Sequence, residues 1–139
     1  MPLTASSSIA IGTRAPDFRL QGARGRSHVL ADVSDAKAPL VAFPYPKDEA
    51  QAVARAQGIA CTPGLPLFDT EQRLFHHGQL DDSRPKNVPP VTGADLRAAT
   101  TLVLAGKPSP AGRKRAIVCT IKWRGGEEPS WFHAGAAAE

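Results

Sequence analysis

The chain is poor in several things at once. It has two cysteines, Cys61 and Cys119, in 139 residues, too few for the disulfide framework of a small secreted domain. Aromatic residues are 6% of the chain and hydrophobic residues 42%, which excludes a coiled coil or a collagen-like rod. No apolar run approaches the roughly 18 residues that cross a bilayer, so no membrane partner is expected. Met1 to Ile11 lacks the basic, then apolar, then small-residue order of a secretory signal. A cytoplasmic protein with reduced thiols is the expectation. Charge of one sign is scarce too: 17 Lys and Arg stand against 13 Asp and Glu, a net +4. The one basic cluster is Arg113-Lys114-Arg115, followed by Lys122 and Arg124. In a Gly/Pro-rich stretch this reads as a solvated loop, so nucleic acid is not an expected partner.

Proline and glycine are plentiful, 13 and 12 residues, about 18% of the chain against about 12% in average usage. They punctuate a loop-rich domain of α/β type. Residues 1–10 are small and polar and are expected to be disordered. The segments 15–20 and 27–30, separated by Gly22 and Gly25, read as a hairpin. Pro39-Leu40-Val41-Ala42-Phe43 reads as a strand buried on both faces, stopped by Pro44-Tyr45-Pro46. A helix is expected over 48–57, with Asp48 as cap, Gln51 in the capping-box position and Gly58 as the left-handed stop. Leu65-Pro66-Leu67-Phe68 and Arg73-Leu74-Phe75-His76 flank a four-residue turn, a second hairpin with Pro66 marking a bulge or an edge. A second helix is expected over 93–105, capped by Thr92 and ended by Gly106 and Pro108.

The residues after the first helix, Cys61-Thr62-Pro63, carry the most information. An X-Pro bond just before a sheet hairpin is a place for a cis peptide. At this point the chain resembles the redoxin branch of thioredoxin-like proteins, the group related to thiol peroxidases. The resemblance runs through Gly12-Thr13-Arg14-Ala15-Pro16-Asp17-Phe18, Leu40-Val41-Ala42-Phe43 and the block from Glu49 to Pro63. It continues through Leu67-Phe68-Asp69, the block from Gly78 to Pro85, Thr92 to Arg97, and Cys119-Thr120-Ile121-Lys122-Trp123. It implies a thioredoxin-like fold in which the loop at Pro63 faces the active site and pairs with an extended substrate segment.

The departure from that family matters as much as the match. Its members follow the central strand with Cys-x-x-Cys at a helix start, where the helix end lowers the nucleophile's pKa. Here Phe43 runs directly into Pro44-Tyr45-Pro46. The chain therefore looks like a family member with an internal deletion that removes the Cys-x-x-Cys segment, its helix and one strand. Gly64-Leu65-Pro66 also stands where the family favours Asp-Phe-Phe, and Thr120 where it favours Asn.

The resemblance makes Cys61 a candidate catalytic thiolate, Cys119 its resolving partner, and Thr62 and Pro63 a substrate-binding surface. The competing reading makes both cysteines inert small hydrophobes, and with no helix N-terminus or cation beside Cys61 the residues favour it. His76 and His77, adjacent on a strand, point to opposite faces and suit a half-exposed pair better than a metal site; no metal and no cofactor is expected. Asp81-Asp82-Ser83-Arg84 reads as turn formers and local caps rather than an acid–base pair. Trp123 and Trp131 read as packing residues rather than a base-stacking surface.

The expected architecture is α/β: a shortened thioredoxin-like sheet with two main helices and an irregular C-terminal tail. Residues 1–10 form a disordered N-terminus, 11–108 the core lacking the active-site helix, and 109–139 a tail packing on it. The sheet would hold the 15–30 hairpin, the 40–43 strand and the 65–76 hairpin. Loss of a helix and a strand uncovers sheet surface, which a second copy or the tail would cover. The expected function is that of a redoxin relative with weak or no activity on thiol or disulfide protein substrates. The alternative is a non-catalytic peptide-interaction module built on the Pro63 loop.

Overall fold

The structure is a computed structural model. It describes residues 3–5, 9–22, 24–41, 51–59, 61–62, 65–84, 86–115, 117–126 and 128–130, with backbone alone for 3–5, 61–62 and 117–120. The segment 42–50, which holds residues 42 and 43 of the expected 40–43 strand, the Pro44–Pro46 junction and Asp48, lies outside these, as do Pro63 and Trp131.

Among the described residues there are three antiparallel units of sheet and two α-helices. The first unit has the order β1-β7-β4, with β1 Leu3–Ala5, β4 Cys61–Thr62 and β7 Ile117–Thr120. Two expectations are corrected here. The 1–10 segment is not wholly disordered, because β1 lies in register along β7 from Leu3↔Cys119 to Ala5↔Ile117. The tail is not merely an irregular cover, because its run Ile117-Val118-Cys119-Thr120 supplies the middle strand. β-Branched residues suit that place, where both edges of the backbone are paired.

The second unit is the N-terminal hairpin, β2 Arg19–Gln21 with β3 Ser27–Val29, in register from Arg19↔Val29 to Gln21↔Ser27. Its turn closes through the Gly22 amide on the Arg26 carbonyl at 2.8 Å and bends at Gly25, whose φ is +74°. A 3-10 turn, Leu30–Val33, follows.

The third unit is β5 Leu67–Phe68 with β6 Leu74–His76. The partners Leu67↔His76 and Phe68↔Leu74 leave Phe75 as the extra residue of a bulge. Asp69 builds the turn: its carboxylate accepts the amides of Glu71 and Arg73, each at 2.9 Å, and Gln72 takes the left-handed conformation. Backbone bonds extend this hairpin on both sides. Residues 12–15 run along 72–74, with Gly12 N–H on the Leu74 carbonyl at 2.8 Å. Residues 39–41 run along 66–68, with Phe68 N–H on the Pro39 carbonyl at 2.8 Å and Val41 N–H on the Pro66 carbonyl at 3.1 Å. Pro66 thus enters the ladder through its acceptor, which its missing donor permits. Leu40 is 45% exposed, so this stretch is not buried on both faces as its apolar run implied.

Helix α1 is Ala52–Ala56, shorter than the expected 48–57. Gln51 does not close a capping box. It adopts a φ of +53°, and its amide reaches across the chain instead, donating to the Lys122 carbonyl at 2.9 Å and accepting from the Arg124 N–H at 3.0 Å. At the other end Gly58, φ +65°, donates to the Arg55 carbonyl and Ile59 to the Ala54 carbonyl. These are the two bonds of a Schellman stop. Val53 and Ile59 bury against Phe18, Leu20, Val41 and Ile121. Trp123 is buried, with the Arg55 guanidinium 5.8 Å from its ring centroid. That is the packing role expected of it.

Helix α2 is Ala94–Leu104. It lays Ala99 and Val103 on Leu67 and Phe75, with Ala38, Leu96 and Leu102 around them. Ala15, Phe68 and Leu74 form a neighbouring cluster on the other side of the hairpin. Gly106, φ +66°, ends α2 with the same paired bonds, Gly106 to Val103 and Lys107 to Leu102.

Candidate functional site

Of the four sequence-predicted site residues, Pro63 lies outside the described residues. The other three are brought together by the sheet. Cys61 stands opposite Thr120, and Thr62 opposite Cys119. The two cysteines are therefore on neighbouring strands, one register step apart. Positions one step apart fall on alternate faces of a pleated sheet. β4 is the last strand of the order β1-β7-β4, so among the described residues its outer backbone edge is unpaired. An unpaired edge is where an extended segment of another chain adds a strand.

A second polar assembly lies at the start of α2. Asp81 is 3% exposed, and its carboxylate accepts four hydrogen bonds. They come from the Thr92 N–H at 2.7 Å, the Gly93 N–H at 2.6 Å, the Ser83 N–H at 2.8 Å and the Ser83 hydroxyl. The Ser83 hydroxyl and the Gly93 amide hold this carboxyl well below the usual carboxylate range. Asp81 thus does work that the sequence assigned to Thr92. The residue before the helix is Gly93, φ +67°, with no side-chain cap of its own. Thr92 keeps a weaker share, its Oγ1 accepting the Ala94 N–H at 3.3 Å.

Gln79 is the hub that sequence reasoning missed. It is 3% exposed; its amide donates to Asp82 at 2.8 Å and Asp95 at 2.6 Å, and its carbonyl accepts from Arg84. Lys114 closes the cluster on Asp82 at 2.7 Å, and the Gln79 N–H donates to the Lys114 carbonyl at 3.0 Å. The Lys114 hydrogen bond, then that of Gln79, lowers the Asp82 pKa. The signal was present in the run Gly78-Gln79-Leu80-Asp81-Asp82-Ser83-Arg84, but an adjacent pair of acids does not reveal which is buried. Asp81 acts as a cap and turn former, and Asp82 is taken up by Lys114 and Gln79.

One of the two histidines differs from expectation, while His77 is partly exposed as expected. His76 is only 4% exposed, not half-exposed, and neither of its ring nitrogens has a hydrogen-bond partner among the described residues. Burial, then the Arg113 charge, lowers its pKa. For His77, burial followed by the His76 charge takes the value down to about 4. Among the described residues no three His, Cys, Asp or Glu converge on one point as metal ligands would. Nor is any helix long and apolar enough to cross a membrane.

No protein-family model and no curated protein matches the chain. Solved structures do. A hypothetical protein from Sinorhizobium meliloti 1021 superposes with a TM-score of 0.83 and 36% identity, over 88% of this chain and 100% of that one. This chain belongs to the family of that Sinorhizobium protein. An uncharacterized conserved protein from Geobacillus kaustophilus superposes with a TM-score of 0.83 and 29% identity, over 90% of this chain and 98% of that one. The fold is thus common to the Sinorhizobium and Geobacillus proteins and this one, while activity has to be argued from the side chains and strands described above.

Proposed function

We propose that the chain is a redoxin-type, thioredoxin-like thiol protein that engages an extended thiol or disulfide segment along β4 and reacts weakly with it through Cys61. One observation carries this reading: Cys61 and Thr62 sit on a sheet edge that is unpaired among the described residues, while Cys119 lies on the adjacent strand. A substrate strand added to β4 would lie alongside Cys61.

The chemistry is thiol–disulfide exchange. The Cys61 thiolate attacks one sulfur of a substrate disulfide; that S–S bond breaks, and one substrate thiolate leaves. Cys119 then attacks Cys61 in the mixed disulfide. The second substrate thiol leaves, two electrons pass to the substrate, and a Cys61–Cys119 disulfide remains until a dithiol reductant resets it. The register argues that this second step is slow. Bridging positions on alternate faces requires the β4–β7 pair to shift, since disulfides tolerate little error in direction. The sequence also has no Cys-x-x-Cys at a helix start, the arrangement that ordinarily favours a reactive thiolate. Both arguments point to weak turnover.

The direct assay is reduction of insulin disulfides and of hydrogen peroxide, with dithiothreitol as reductant, by the wild type and by Cys61→Ser. A slow rate that vanishes in Cys61→Ser is the expected result, and equal rates in the two proteins refute the reading. The unpaired β4 edge equally favours a second reading, a peptide-binding module without catalysis. Peptide capture that survives Cys61→Ser but is lost when Thr62 and Pro63 are replaced would favour that module.

A further inference from the structure

A small cavity of about 150 Å³ opens between the end of β6, the first turns of α2 and the loop 110–114. Its wall includes His76, Asp95, Ala98, Arg113 and Lys114. A water occupies about 30 Å³ in the liquid, so the space holds a group several times that size.

The side chains on the wall are not equivalent. Asp95 already accepts the Gln79 amide at 2.6 Å, and Lys114 is joined to Asp82 at 2.7 Å. The backbone donors of the first turn of α2 are also occupied, since Asp95 N–H and Leu96 N–H both reach the Leu80 carbonyl. Two groups are left over. Arg113 makes no ion pair among the described residues. His76 is buried, and among the described residues neither ring nitrogen has a partner. A buried polar group without a partner is costly, and a native chain rarely leaves one idle. Gly78 keeps the ring close to the loop: a Cβ there would meet the Lys114 carbonyl at 2.7 Å and the His76 ring at 3.4 Å.

We propose that this cavity binds a small oxyanion, a carboxylate, phosphate or sulfate group, held by the Arg113 guanidinium and a ring nitrogen of His76. An anion satisfies both leftover groups together, through a charge-assisted bond from Arg113 and a donor from the imidazole. A cation in the same place would face Arg113 with Asp95 already engaged. None of its lining residues belongs to β4 or β7, so it does not depend on the thiol reading.

The test is a titration of the intact protein followed through the ring signals of His76 by nitrogen-detected NMR. Sulfate, phosphate and acetate are added in turn, each against chloride at matched ionic strength. A saturable movement with at least one of the three, absent with chloride, is expected, and the order of affinity tells a carboxylate from a tetrahedral anion. Arg113→Gln, an exposed position, should weaken binding by about tenfold without unfolding the chain. Movement that chloride reproduces, no saturable movement with any of the three, or an unchanged affinity in Arg113→Gln would overturn the proposal.

Discussion

At the scale of single residues, the structure turns on side chains that take up what the backbone leaves over. Asp81 binds the amides leading into α2, Gln51 binds the 122–124 segment, and Gln79 joins Asp82, Asp95 and Arg84. Gly78 belongs in this company for the space it leaves empty. Its φ is not in the left-handed region, so the argument is steric alone: an added methyl would meet the backbone carbonyl of Lys114 at 2.7 Å. A backbone atom cannot swing away as a side chain can. Gly78→Ala should therefore destabilise the fold by about 1–3 kcal/mol, read as a lower denaturation midpoint in urea with an unchanged slope. A midpoint equal to wild type would show that the 114 loop yields freely. Little of this was legible beforehand, because a sequence shows that Gly78 is small but not what comes close to it.

At the scale of elements, legibility followed local rules. Gly58 and Gly106 mark the ends of both helices as expected, and Asp69 to Gln72 turns the second hairpin, because these signals act between near neighbours. Gly106 has open space around it, so its role is the left-handed backbone alone. Gly106→Ala should cost about 1 kcal/mol and begin the unfolding of α2 from its C-terminal turn, a local loss that hydrogen exchange at Lys107 would detect. Exchange unchanged at Lys107 would count against the Schellman account. Helix starts were read less well. Gln51 spends its side chain on partners 71 and 73 residues away, and Thr92 yielded most of its role to Asp81, 11 residues upstream. The strands β1 and β7 were missed for the same reason: three or four residues from opposite ends of the chain form sheet only because each finds the other. Cys61 and Thr62 were singled out from the sequence, yet their placement beside Cys119 depends on that same long-range pairing.

At the scale of the whole molecule, the imidazoles of His76 and His77 set the response to acid. Burial lowers the pKa of His77 from 6.5 to about 4, and that of His76 in the same direction. A depressed imidazole means that the unfolded chain takes up the proton first. Stability is therefore full above pH 6.5 and is lost as the pH falls from there toward about 4. For His77 the loss is about 3 kcal/mol. Asp81 adds a second loss at lower pH, since its depressed carboxyl favours the fold only while ionised. Thermal unfolding between pH 7 and 4 should show a falling Tm that His77→Gln flattens, and a Tm independent of pH over that range would remove the burial argument.

The central claim is that Cys61, on the outer edge of the three-stranded unit, is the reactive thiol. Incubation of the reduced protein with an extended peptide disulfide, followed by acid quenching and mass spectrometry of the digested chain, tests it most directly. The account predicts a peptide adduct on Cys61 that persists in the wild type almost as long as in Cys119→Ser, because resolution across the β4–β7 register is slow. An unmodified Cys61, or adducts confined to Cys119, would contradict it.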